Sequence, residues 1–186
     1  DDTVAFVGGI NFCADQLLDF GEMAKQDYAV ELHGPIVARI RGFMARTAGI
    51  GAIDGMAGSS SLAAGSAAVL FAARDDKASP DGIEKIYRQA IRTARSRVYI
   101  ANAYFFPGYR LFRDLCRAAG RGVEVKLFLQ GMPDMKSVRF AARLLYGHLL
   151  RAGVEVHEYC ARPMHGKIAM VDDGWPIVGC SNLDPL

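Results

Sequence analysis

The sequence has no run approaching about eighteen consecutive apolar residues, so none of its 186 residues reads as a membrane-spanning helix. No secretory leader is visible, although the chain does not begin with Met and a targeting segment before residue 1 would not be seen. There are only four cysteines, Cys13, Cys116, Cys160 and Cys180, with no C-x-x-C pair. They read as reduced thiols of a cytosolic setting rather than a disulfide framework. Cys/His ligand spacing is missing too, so neither a metal nor another cofactor is expected. The charge balance is nearly even, at +2, which leaves no nucleic-acid footprint at the level of the whole chain.

What is present is ordinary for an α/β protein: 51% hydrophobic and 23% charged residues, in a chain long enough for a core and one or two domains. Its most informative stretch lies near the end. His165-Gly166-Lys167 is followed by Asp172 and then by Gly179-Cys180-Ser181-Asn182. The start of the chain repeats half of this. Asp1 aligns with Asp172, Asp2 with Asp173, Val7 with Val178, Gly8 with Gly179 and Asn11 with Asn182. Counterparts of His165 and Lys167 would stand just before residue 1.

The residue types suit phosphoryl chemistry. A strand sends alternate side chains to one face, so His165 and Lys167 point the same way. Histidine attacks or moves a proton near neutral pH, and lysine offers a point charge to a phosphate oxygen. Ser181, Asn182 and Asn11 add hydrogen bonds for such oxygens. Gly8 and Gly179 read as positions of close backbone approach. Asp172 invites a triad reading with His165. It lies an odd number of residues further on, however, so it faces the other way on a continuous strand and is expected to tie down the following turn.

The pattern H-x-K-x-x-x-x-D with G-x-x-N resembles the signature of the phospholipase D superfamily. Asp27 to Pro35, Ala101 to Tyr109 and Gly179 to Leu186 are similar to bacterial cardiolipin synthases; Cys180 departs from the usual Ser or Thr. The resemblance implies catalytic His165, Lys167 and Asp172. It implies substrate phosphate on Ser181, Asn182 and Asn11, with support from Asp1, Gly8, Gly179 and Asp27. It further implies a two-step phosphatidyl transfer through a phosphohistidine, joining two phosphatidylglycerols and releasing glycerol. The nucleophile would be the histidine before residue 1, and His165 the general acid/base. Each histidine in the family is held by an acid further downstream. Asp27 would serve the first histidine, and the acid for His165 would fall beyond Leu186.

Phosphatidylglycerol is the expected substrate, with phosphatidylethanolamine as an alternative. The expected place is the cytoplasmic side of the bacterial inner membrane, peripherally bound, with no nucleic acid as partner. A phospholipase D hydrolase and a phosphodiesterase nuclease are the alternatives within the superfamily. With one motif's histidine and lysine lacking, residues 1–186 alone are expected to turn over little.

The implied fold is a mixed β-sheet flanked by helices, an α/β/α sandwich of two pseudo-twofold-related units, the first incomplete. Residues 1–50 would be the tail of the first unit, 51–66 a Gly/Ser-rich linker and 67–186 the second unit. Strands are expected at 4–10, 27–32, 68–73, 98–104, 123–129, 154–159, 167–171 and 176–178. Helices are expected near 14–20, from Pro35 to about 48, after Ser79-Pro80, over 109–119 and over 136–151. Tyr104 and Phe105, after a strand, are candidates for a substrate wall. Arg39, Arg41 and Arg46 give the helix after Pro35 a basic side that suits a bilayer surface. His33, His148 and His157 read as non-catalytic, and Glu158 as a remote candidate for the site.

Overall fold

The computed structural model describes residues 3–11, 18–49, 65–73, 81–132 and 136–183. Asp1, Cys13, the expected helix as far as residue 17, almost all of the 51–66 segment and Ser79-Pro80 lie outside them. The chain divides into two compact units, one from residues 1–7 and 30–73, the other from 8–29 and 74–186.

In the first, β1 (Val4–Gly8) pairs with β2 (Ala29–His33). Helix α1 (Pro35–Thr47) starts at proline, whose fixed φ and missing N–H suit a first helical position. Gly34 precedes it at a φ of 90°, a conformation that favours glycine. Val37 and Ile40 are buried, Arg39 and Arg46 are exposed, and Phe43 meets Phe71 edge-on with ring centroids 5.4 Å apart. The strand expected at 68–73 does not form. This apolar run finds no ladder partner among the described residues, and Val69 and Leu70 stay exposed.

The larger unit is built on a five-stranded sheet in the order β5-β4-β3-β6-β7. Helix α2 (Gly82–Thr93) leads into β3 (Arg97–Asn102), α3 (Tyr109–Gly120), β4 (Glu124–Gln130), α4 (Lys136–Arg151) and β5 (Glu155–Tyr159). The hairpin of β6 (Lys167–Val171) and β7 (Trp175–Val178) closes it. Strands β3, β4 and β5 run parallel, as their helical crossovers require, while β6 returns antiparallel along β3. A short 3-10 turn spans Leu18–Met23, with Gly21 at a φ of 56°.

Alternation decides the core. Val98, Ile100, Val125, Leu127, Leu129, Ala169 and Val171 occupy one face and join Tyr87, Ile91, Leu111, Leu115 and Leu149 in a single buried cluster. The helices of this unit therefore pack on one face of the sheet. The expected class, a mixed sheet flanked by helices, is what these elements form. Between α2 and α3, Asp114 is buried and accepts a hydrogen bond from Arg88 Nε at 2.8 Å.

This topology fixes where a ligand can sit. The last residue of β3 and the first of β6 lie side by side, at the carboxyl end of the parallel strands and beside the strand where chain direction reverses. Open α/β sheets bind ligands at such a place.

Candidate active site

Asp172 sets the register of the whole site. It sits at the turn of the β6–β7 hairpin with a φ of 50°, a conformation that aspartate tolerates better than most residues. Its carboxylate accepts hydrogen bonds from the amides of Ser96 at 2.9 Å, Arg97 at 3.1 Å and Arg95 at 3.1 Å, and from the Ser96 hydroxyl at 2.9 Å. These amides, Ser96 first, hold the carboxyl far below the usual carboxylate range. Its own amide bonds the Arg97 carbonyl at 2.9 Å, so β6 is pinned to the first residue of β3. From there the pairing runs Val98–Val171 to Asn102–Lys167. Asp172, a catalytic residue by the family resemblance, thus stands at the far end of β6 from His165, where its bonds to Arg95, Ser96 and Arg97 hold the hairpin on β3.

Lys167 is almost fully buried, with 2% of its surface exposed. Burial lowers its proton affinity; Asp27, the nearest carboxylate, opposes that effect. Its ammonium donates to the His165 carbonyl oxygen at 2.6 Å and lies 2.8 Å from Nε2 and 2.9 Å from Nδ1 of the His165 ring. Near-equal distances to both ring nitrogens place the ammonium over the ring rather than on one lone pair.

Asp27 completes the group. Its Oδ2 lies 2.7 Å from His165 Nδ1. A carboxylate can only accept, so Nδ1 donates and the ring lone pair stands on Nε2. The side chain of Asp27 is 3% exposed and that of His165 18%, leaving the histidine the more accessible partner. Backbone pairing brings them together: Gln26 donates to the Pro163 carbonyl at 2.7 Å, and His165 donates to the Gln26 carbonyl at 2.7 Å. Glycines make the room. A Cβ on Gly9 would come within 2.6 Å of Asp27 Oδ1, and one on Gly166 within 2.7 Å of the Tyr28 ring. Asp27, expected to serve a histidine before residue 1, faces His165 here.

Other expected residues fall out differently. Gly8 is a close approach, since a Cβ there would meet the Tyr28 carbonyl oxygen at 2.3 Å; at Gly179 the surroundings are open. Asn182 lies four residues past the sheet with its Oδ1 buried and without a partner among the described residues, while the Ser181 hydroxyl turns to the Asn182 carbonyl at 3.3 Å. Asn11 is exposed, just past β1. Phe105 is not a substrate wall: it is 2% exposed, belongs to the core and bridges to Leu183. The accessible aromatics of this loop are Phe106 and Tyr109, and Tyr104 is half-buried. Glu158 is held by Arg143 of α4 through two bonds, at 2.9 and 3.0 Å. His33 pairs with Glu31, and His157 pairs with Glu155 and stacks on Phe128. Sequence reasoning missed Asn102, a fully buried polar residue opposite Lys167. Its signal was an amide on the apolar face of a strand whose other members are Val98 and Ile100.

Comparison with known proteins gives the family. A family profile described as "Cardiolipin synthase, PLD-like domain" matches residues 87–186. Cardiolipin synthase B of Salmonella typhi and that of Escherichia coli K12 are each 46% identical over the whole of this chain. The chain spans 46% of the length of each. Among solved structures, the phospholipase D family member Nuc of Salmonella typhimurium aligns with a TM-score of 0.46 at 21% identity, covering 55% of this chain and 65% of that one. The profile covers the stretch that holds His165, Lys167 and their pinned strand, and on that match the chain belongs to the PLD-like domain family of cardiolipin synthases.

Proposed function

We propose that this chain forms part of a phosphatidyltransferase that joins two phosphatidylglycerols into cardiolipin and releases glycerol. The observation that carries the reading is the arrangement of Asp27, His165 and the buried Lys167 at the carboxyl end of the parallel strands. In the first step a histidine nitrogen attacks phosphorus and the P–O bond to glycerol breaks. The departing glycerol oxygen takes a proton from Nε2 of a doubly protonated His165 ring, which leaves the neutral ring with Nδ1 still donating its proton to Asp27. In the second step Nε2 takes the hydroxyl proton of another phosphatidylglycerol as that oxygen displaces the histidine from phosphorus. Splitting the exchange this way replaces one hard step by two easier ones. Lys167, with Ser181 and Asn182, would hold the phosphate oxygens, so charge developing on them meets a fixed cation.

The nucleophile in this reading belongs to a second motif, whose tail is residues 1–11. Residues 1–50 would close the first unit and 67–186 form the second. Phosphatidylethanolamine is a second candidate donor. The protein would work peripherally at the cytoplasmic face of the bacterial inner membrane. Exposed Phe106 and Tyr109 beside the site and the basic side of α1 support contact with a bilayer; among the described residues no helix is long and apolar enough to cross one.

The test uses the longest natural chain containing these residues, with acyl-labelled phosphatidylglycerol in mixed micelles, and resolves the lipid products. Cardiolipin is expected. Phosphatidic acid alone would make the protein a hydrolase. No lipid product, with DNA or a simple phosphodiester cleaved instead, would replace the lipid reading by a nuclease one.

A further inference from the structure

Lys167 and Asn102 present complementary deficits. An ammonium has three protons to place. Every described polar contact of Lys167 is to His165: one carbonyl oxygen and the two ring nitrogens. Nδ1 spends its own proton on Asp27 and offers no lone pair, so at least one ammonium proton has no acceptor. Asn102 has the opposite problem. It is 0% exposed, and neither its Oδ1 nor its Nδ2 has a partner among the described residues. An unpaired buried amide is costly, because it loses its bonds to water and gains none in return.

The two residues are directly opposed in the β3–β6 ladder. Hydrogen bonds join the flanking pairs, Ala103 N to Gly166 O at one end of the ladder and Asp172 N to Arg97 O at the other. Counting alternate pairs between them makes Asn102–Lys167 a non-hydrogen-bonded pair, the kind in which opposed side chains stand closest and on one face. The strand-mates Val98 and Ile100 on that face are apolar and fully buried. An amide at this position is an exception that packing does not explain.

We infer that Asn102 is the positioning residue for Lys167: its carboxamide oxygen takes an ammonium proton when the lysine leaves the His165 ring to hold a phosphate oxygen. The inference rests on the phosphodiester reading above and supplies a step that reading needs. The ammonium rests 2.8 Å from Nε2, and its positive charge there opposes protonation of that nitrogen. Once a phosphate oxygen draws it away, Asn102 gives it a second fixed anchor, and Nε2 is released for proton transfer. The charged and titratable groups that face this ammonium are His165, Asp27, Cys180 and Lys25; all are retained in the variants below.

The experiment follows the titration of Lys167 by side-chain NMR in the longest natural chain containing these residues, with and without inorganic phosphate, for wild type, Asn102→Leu and Asn102→Asp. Phosphate is expected to raise the Lys167 midpoint in wild type. In Asn102→Leu the midpoint with phosphate should lie about one pH unit lower, a tenfold loss of proton affinity, and in Asn102→Asp it should lie higher than in wild type. Without phosphate, Asn102→Leu should melt no lower than wild type, because the amide it removes has no partner. Equal midpoints with phosphate in all three proteins would overturn the inference, as would phosphate leaving the wild-type midpoint unmoved. A drop of several degrees in the phosphate-free melting of Asn102→Leu would also overturn it, by showing that the amide is already bonded in the fold. Should wild type make no lipid product, the phosphatidyl-transfer reading falls while the titration still decides the role of Asn102.

Discussion

Asp27 accepts the Nδ1 proton of His165, which leaves the basic lone pair on Nε2 and gives the imidazolium formed in proton transfer a counter-charge. Asp27→Asn keeps the shape and loses both effects. Its kcat should fall on the order of 10²–10⁴-fold with KM little changed, read from steady-state kinetics on labelled lipid. Lys167 titrates the other way from most lysines. Burial disfavours its charged form, so its folded-state proton affinity lies below that of the unfolded chain. The cation proposed to hold phosphate is therefore lost early, and the alkaline limb of kcat/KM should fall below the ordinary lysine value of about 10.4. For the same reason Lys167 makes the fold gain stability as pH rises from its folded value towards about 10.4. Asp172 has the opposite sign. Its folded-state value is depressed, so its contribution is full above the ordinary value of about 3.9 and is lost as pH falls below it. Asp172→Asn should flatten the acid limb of stability, measured as the denaturant midpoint between about pH 5 and pH 2.

At the scale of elements, two packings carry the site. The glycine of H-x-K lies under the Tyr28 ring, where a Cβ would stand 2.7 Å from two ring carbons. Gly166→Ala should cost about 1–3 kcal/mol in chemical denaturation and lower activity, and adding Tyr28→Ala should restore much of both. Helices α2 and α3 are joined by Arg88 and the buried Asp114. Asp114→Ala leaves the guanidinium, whose side chain is 16% exposed, with only the longer 4.0 Å approach of Glu84 among the described residues, and should cost about 3 kcal/mol by the same measurement.

Elements whose periodicity was strong were legible from the sequence. Helix α4 (Lys136–Arg151) and strand β6 (Lys167–Val171) have the predicted bounds. The stripe Ile83, Tyr87, Ala90, Ile91 likewise packs on the core as read. Residues 68–73 were misread because an apolar run says nothing of whether a neighbouring strand exists. Phe105 was misread for a related reason: a strand-end aromatic turns inward or outward according to what lies beneath it, and Leu183 lies there. The pairing of Asp27 with His165 was out of reach of spacing rules, because it depends on Gln26 and Met164 meeting across a long sequence separation. Asn102 was overlooked because its strand reads as apolar throughout.

On the scale of the whole molecule, the chain spans 46% of its curated relatives, and the proposed chemistry needs two histidines. Residues 1–186 by themselves are expected to show little turnover on a soluble phosphodiester, at least about 10²–10⁴-fold below a chain carrying both motifs. The fold class was recoverable because alternating strand and helix signals and a half-repeated motif point to one architecture. The most direct test of the central claim compares wild type with His165→Ala in the longest natural chain containing these residues, scoring the conversion of labelled phosphatidylglycerol. Cardiolipin from the wild type and none from the variant is the predicted result. Cardiolipin formed at equal rates by both would contradict the account.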